Sequence, residues 1–246
     1  MPQKKEVTQM ADVLAVSPHL DDAALSCGAT LARWAAEGRD VLVYSAFAGL
    51  PEPPFPPAAQ RFHELWQLHD DPVRARRAED EEAMRDLGVT ESHGPFLDEI
   101  YRDAADEADV ARELELVIGR LIEAHRPETV LTCSALGLHK DHVLARDATV
   151  RAAVSSGTPL LLWEDLPYGV WTRERPPLPD GRSWGPTVVT EVGADAWKTK
   201  ITAVARYASQ YAMLSYRETP IEDQLERHAR TLARGSGVAE QVWTVV

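Results

Sequence analysis

Val13-Leu14-Ala15-Val16-Ser17-Pro18-His19-Leu20-Asp21-Asp22 is the stretch whose reading decides the fold. Its first half is a short apolar run ended by proline, the pattern of a strand buried on both faces of a parallel sheet. Over residues 23–37, Leu25, Leu31 and Trp34 recur at helical spacing, and Gly38 stands where a C-cap belongs. Residues 41–44, Val-Leu-Val-Tyr, then read as a second strand. Strand, helix, glycine, strand is a βαβ unit, and sheets built from such units bind ligands beyond the carboxyl ends of their strands. Residues 18–22 occupy that place.

The same grammar continues along the chain. Five prolines in residues 49–59 predict a stiff, irregular rim loop over the site. Residues 74–87, closed by Gly88, and residues 106–126, closed by Pro127, read as amphipathic helices. Residues 129–133 form a further buried strand, followed by a polar loop, residues 134–142, and a helix from about 141 to 155. Strands are expected at 160–163, 187–189 and 241–245, helices at 195–213 and 220–233, and a long loop at 167–186. No repeat or clear linker interrupts this order. The expectation is one α/β domain over residues 1–246, a Rossmann-like, mostly parallel sheet flanked by helices.

Composition narrows the class of function. The 246 residues carry 26 Lys and Arg against 39 Asp and Glu, a formal charge of −13, which argues against a protein that wraps nucleic acid. No run reaches the ~18 apolar residues of a membrane span. The stretch from Met1 to Glu6 is not followed by the apolar core of a signal peptide. The two cysteines, Cys27 and Cys133, form no CxxC pair, and Cys27 reads as a small packed residue. A reducing, cytoplasmic setting is the expectation, with a small-molecule substrate and room for a homo-oligomer.

Two clusters carry the chemistry. His19, Asp21 and Asp22 follow the first strand, and His139, Asp141 and His142 follow the strand at 129–133. A turn aims His19 and Asp22 at one point, and a histidine of the second cluster supplies a third ligand, leaving an open position as a catalytic metal requires. Each piece also has a bland reading: an Asp-Asp pair as a solvated turn or helix N-cap, and the histidines as surface or core residues. His63, His69, His93, His125 and His228 lack a partner at ligand spacing and read as surface or core histidines. Trp163, Trp171 and Trp184 fall in or beside loops at the sheet's carboxyl edge, and residues 163–168 lead into that region.

With those residues quoted, the chain resembles the PIG-L/LmbE-like family of zinc-dependent amino-sugar deacetylases. Its first motif, (A/S)HPDD(E), reads here Ser17-Pro18-His19-Leu20-Asp21-Asp22-Ala23, and the second, HxDH, reads His139-Lys140-Asp141-His142. Between them Arg76, Glu79, Ala83, Leu87 and Gly88 match a family helix, and Lys200, Ala203, Tyr207, Ser209 and Gln210 match a segment near the C-terminus. The resemblance implies that His19, Asp22 and His142 bind Zn²⁺, with other divalent ions possible. It further implies that Asp21 is the general base, and that His139 stabilises the oxyanion or protonates the leaving amine while Asp141 orients its ring. Arg76 and Asp98 match positions expected to contact the substrate; their bland reading is an Arg76/Glu79 helix pair and an exposed acid. The implied activity is removal of an N-acyl group, acetyl above all, from an amino sugar or an amino-sugar-containing small molecule. Cleavage of a larger amide, such as a thiol conjugate, and a non-catalytic Rossmann-like metal- or ligand-binding module are the competing readings.

Overall fold

The computed structural model describes residues 10–172, 174–215 and 219–246. The leader reading at Met1 to Glu6 lies outside the described residues, as does Arg173 within the 167–186 loop. Among the described residues, seven strands form one sheet: β1 (Val13–Ser17), β2 (Val41–Ser45), β3 (Thr90–His93), β4 (Thr129–Cys133), β5 (Leu160–Trp163), β6 (Trp184–Val192) and β7 (Val238–Val245). The order across the sheet is β3-β2-β1-β4-β5-β7-β6; the first five are mutually parallel, and β7 runs antiparallel to both β5 and β6. The sheet is thus the mostly parallel α/β sheet that the βαβ pattern predicts.

Nine helices flank it among the described residues: α1 (Asp22–Ala36), α2 (Pro57–Trp66), α3 (Pro72–Leu87), α4 (Glu107–His125), α5 (Lys140–Ser156), α6 (Tyr168–Trp171), α7 (Ala194–Val204), α8 (Tyr211–Leu214) and α9 (Ile221–Leu232). Leu14, Leu31, Leu114, Ile118, Leu131 and Leu162 pack one core in which β1, β2 and β4 are buried nearly throughout. Burial on both faces is why these strands read as unbroken apolar runs. The chain order reverses direction across the sheet between β1 and β4, the place where open α/β sheets leave a crevice for ligands.

Three expectations change. The proline-rich stretch 49–59 is irregular only to Pro56, because Pro57 sits in the first turn of α2, where a proline's missing N–H costs nothing. β3 was not expected: Thr-Glu-Ser-His has no apolar run because it is an edge strand paired on one side alone. The helix expected over 195–213 ends at Val204, and α8 resumes only at Tyr211. The break lets the Tyr207 ring turn into the core, 2% exposed, where its hydroxyl reaches Leu20 and Asp80.

Helix α1 is kinked at Cys27, whose φ of −132° and ψ of 18° are non-helical, so N–H groups just beyond it can take an acceptor from elsewhere in the fold. Glu240 of β7 fills that role from outside, accepting from Ala29 N at 3.1 Å and Thr30 N at 2.7 Å. Lys200 of α7 balances the charge, with Nζ 2.6 Å from Glu240 Oε1 and no exposure to solvent. Gly28 leaves room for the approach: a Cβ there would stand 3.2 Å from Lys200 Cγ, which would have to give by a few tenths of an ångström. The Lys200 of the C-terminal motif therefore shapes the helix that begins with Asp22.

Candidate active site

The β1–α1 turn and the start of α5 deliver their side chains to one crevice. Asp22 Oδ2 is its hub: it lies 3.1 Å from His19 Nδ1 and 3.2 Å from His142 Nε2, and it accepts from the His19 backbone N–H at 2.8 Å. Four ligands at about 2.0–2.1 Å around a tetrahedral ion stand about 3.3 Å apart. The three atoms, one from each residue, already lie within 4.8 Å of one another, so the donor set fits a divalent ion in number, type and spacing. Two other groupings, His19/His139/Asp141 and Cys133/His142/Asp165, also satisfy the distance limit. Only His19, Asp22 and His142 combine that spacing with three side chains that all line an open cleft, of about 280 Å³.

A demanding loop positions the second cluster. Between β4 and α5, Ala135, Gly137 and Leu138 all have positive φ (57°, 83° and 59°). A Cβ at residue 137 would stand 2.6 Å from the Tyr168 ring, so glycine is required there for space as well as conformation. Asp165 braces the loop by accepting from Leu136 N at 2.9 Å and stands 3.6 Å from His142 Nδ1, behind the candidate ligand. That gap is beyond hydrogen-bond reach, so Asp165 acts on the imidazole through its charge, while Nε2 faces Asp22.

The charges are strongly coupled. Burial disfavours the imidazolium of His142, but Asp22 and Asp165 outweigh it and raise its pKa to about 10. Burial likewise opposes a charged Asp22, yet His142 and His19 hold its carboxyl well below the usual range. Asp21 is different: burial and the adjacent Asp22 raise its carboxyl, against the pull of Arg76. The Arg76 guanidinium lies 3.7 Å from Asp21 Oδ1 and stacks over Trp66, 4.7 Å from the ring centroid.

Asp141 corrects the expected role. Its buried carboxylate accepts from Glu99 N at 2.9 Å and from Arg102, and stands 3.1 Å from His19 Nε2; it does not brace the His139 ring. His139 instead accepts the Asp141 backbone N–H on Nδ1 at 3.3 Å and so caps α5. That contact assigns the neutral ring's proton to Nε2, which lies 3.5 Å from Glu99 Oε1. Burial and the nearby His19 and His142 lower the His139 pKa to about 4, consistent with a neutral ring.

Arg76 and Asp98 both line the cleft, and Asp98 Oδ2 is 3.8 Å from His19 Nε2. The Arg76/Glu79 pair does not form in this arrangement: Glu79 accepts from Ser209 N and Oγ at 2.9 and 2.6 Å, tying the middle motif to the C-terminal one. Among the tryptophans singled out, Trp171 lines the cleft, Trp163 is fully buried, and Trp184 packs against Trp243. Leu166, Pro167 and Tyr168 line the cleft, whereas Glu164 pairs with His228 at 2.7 Å. His63 bonds Tyr101 and His93 bonds Asp80, at 2.7 and 2.8 Å, as histidines away from the candidate ligands. Sequence reasoning missed Trp66, Phe62, Glu99 and Met213, which lie in no motif and reach the cleft through the fold.

The family model for PIG-L, GlcNAc-PI de-N-acetylase, matches residues 14–153. The chain belongs to the PIG-L family. A 2'-N-acetylparomamine deacetylase of Streptomyces fradiae is 35% identical over 174 residues, 67% of this chain and 60% of that protein's length. Among solved PIG-L structures, the zinc-inhibited form of teicoplanin deacetylase Orf2 has a TM-score of 0.92 and 40% identity, covering 95% of this chain and 97% of that one. The A40926 pseudoaglycone deacetylase Dbv21 has a TM-score of 0.90 and 40% identity, covering 97% and 98%. These PIG-L relatives are named deacetylases, amide hydrolases acting on non-peptide substrates. No helix among the described residues of this PIG-L chain is long and apolar enough to cross a membrane.

Proposed function

We propose that this chain acts as one catalytic domain, a metal-dependent hydrolase that removes an N-acetyl group from an amino sugar within a small natural product. The observation that carries the reading is the meeting of His19, Asp22 and His142 on a cleft that also holds Asp21 and His139. The names of the relatives, which act on paromamine- and teicoplanin-type molecules, supply the substrate class.

His19, Asp22 and His142 would hold the ion, for which zinc suits two imidazoles and a carboxylate, as other divalent ions do. Such an ion supplies Lewis-acid polarisation of the amide carbonyl and lowers the pKa of water. Asp21, raised by burial and kept within reach of Arg76, takes the proton of the attacking water and returns it to the departing nitrogen. His139 offers its Nε2–H to the oxyanion, and the collapse yields acetate and a free amine. The cleft, about 280 Å³, is at the small end of ligand pockets, so it takes the acylated ring and leaves the rest of a larger substrate outside. Product analysis tests the reading: acetate and amine in equal amounts from an N-acetylated amino-sugar panel support it, and a larger acid in place of acetate overturns it.

A further inference from the structure

Asp141, in the first turn of α5, has no exposure to solvent, and its two oxygens divide their partners. Oδ2 accepts from His19 Nε2 at 3.1 Å and from the Glu99 backbone N–H at 2.9 Å, while Oδ1 accepts from the Arg102 guanidinium. One oxygen therefore joins a candidate metal ligand to the turn that carries Asp98, Glu99 and Ile100 into the cleft. With its Nε2 proton given to Asp141, the His19 ring turns Nδ1 toward Asp22.

Arg102 holds this junction from behind and does not itself line the cleft. Its Nη1 donates to the Leu97 carbonyl and closes the turn, its Nη2 donates to Asp141, and the guanidinium lies 4.8 Å from the Phe47 ring centroid. Phe47 in turn lies 6.1 Å from the His19 ring. Asp98 and Glu99 add negative charge to the same corner, and the cations Lys140 and Arg76 pair instead with Glu107 and Asp21. The Arg102 side chain is only 6% exposed, and a buried carboxylate that loses its cation is left uncompensated. A planar fork serves two acceptors and an aromatic face at once; a lysine ammonium is a point charge and does not.

We propose that Arg102 is a positioning residue that couples the two halves of the site: through Asp141 and His19 it sets the affinity for the metal ion, and through Leu97 it sets the hold on substrate. The inference rests on the metal-dependent hydrolase reading above and adds to it a residue that belongs to neither motif.

The test compares wild type, Arg102→Ala and Arg102→Lys in two measurements: zinc affinity by competition with a chromophoric chelator, and acetate release from the N-acetylated amino-sugar panel at saturating zinc. Loss of a group that supports a ligand costs about 10–100-fold in metal affinity, so Arg102→Ala should bind zinc about tenfold more weakly. At saturating zinc its KM should rise about fivefold with kcat within about twofold of wild type, because the loss falls on substrate binding and leaves Asp21 and His139 in place. Arg102→Lys, which returns the charge without the fork, should recover zinc affinity more fully than KM. Guanidinium at millimolar concentration, far below denaturing strength, should restore both quantities in Arg102→Ala, and equal sodium chloride should restore neither. A residue that only stabilises the fold gives no such rescue. Wild-type zinc affinity and KM in Arg102→Ala, or weakened values that guanidinium leaves untouched, overturn the inference. If Arg102→Ala does not fold, Arg102→Lys decides, and wild-type KM in that variant overturns it. If wild type binds zinc and releases no acetate, the hydrolase reading fails instead, and zinc affinity with and without guanidinium decides the role of Arg102.

Discussion

The Tyr207 hydroxyl stands 2.8 Å from Asp80 Oδ1 and 2.9 Å from the Leu20 carbonyl, and all three groups are buried. A hydroxyl has one proton to donate, so an ionised Asp80 and the Leu20 carbonyl compete for it. A protonated Asp80 ends the competition: it donates to Tyr207, Tyr207 donates to Leu20, and Oδ2 still accepts from His93 at 2.8 Å. Burial raises the Asp80 carboxyl despite its His93 and Tyr207 partners, in the direction this arrangement requires.

A raised carboxyl pKa has a definite sign in stability. Its contribution is full below the unfolded-state pKa and is lost as pH rises through the folded-state value. Asp80→Asn reproduces the protonated pattern, so the variant should lose less stability than wild type as the pH is taken from an acidic value to neutrality. Asp80→Ala leaves buried partners unmet and should cost about 1–3 kcal/mol at either pH. Denaturant melts at the two pH values check this; equal losses for the Asn and Ala variants would count against a protonated Asp80.

The Lys200–Glu240 pair yields an ordering of variants. Breaking a buried ion pair costs about 3–5 kcal/mol, and Glu240→Ala also strips the acceptor from Ala29 and Thr30 N–H. Lys200→Met leaves those two bonds in place. Chemical denaturation should therefore rank Glu240→Ala below Lys200→Met, and the reverse order would contradict Glu240's role as the outside acceptor of the kinked helix.

Asp21→Asn separates binding from chemistry. The side chain is not among the three candidate ligands, so one equivalent of metal should remain bound while kcat falls by about 10²–10⁴. Elemental analysis beside acetate-release kinetics reads both, and a variant that keeps wild-type kcat excludes Asp21 as the base.

What the chain discloses before folding follows from where each signal resides. β1 and β4 are legible because both faces are buried, and the chemistry beyond them is legible because His19 and Asp22 closely follow β1 and His142 stands in the segment that follows β4. The edge strand Thr90–His93 carries no such pattern. The helix stop after Val204 is a tertiary event, set by the hold of Leu20 and Asp80 on Tyr207 rather than by a local breaker. Partnerships across the fold are the least legible. That Asp141 lies on His19, that Arg76 reaches Asp21 while Glu79 takes Ser209, and that Trp66 walls the cleft depend on positions separated by up to 130 residues.

Metal reconstitution tests the central claim most directly. Protein stripped by a chelator is assayed for acetate release from N-acetylated amino sugars, before and after titration with zinc and other divalent ions to one equivalent and beyond. No activity in the stripped protein, recovery near one equivalent, and neither binding nor recovery in Asp22→Ala or His142→Ala is the expected result. Full acetate release without metal, or stoichiometric binding that survives loss of Asp22 and His142, would contradict a metal centre built from His19, Asp22 and His142.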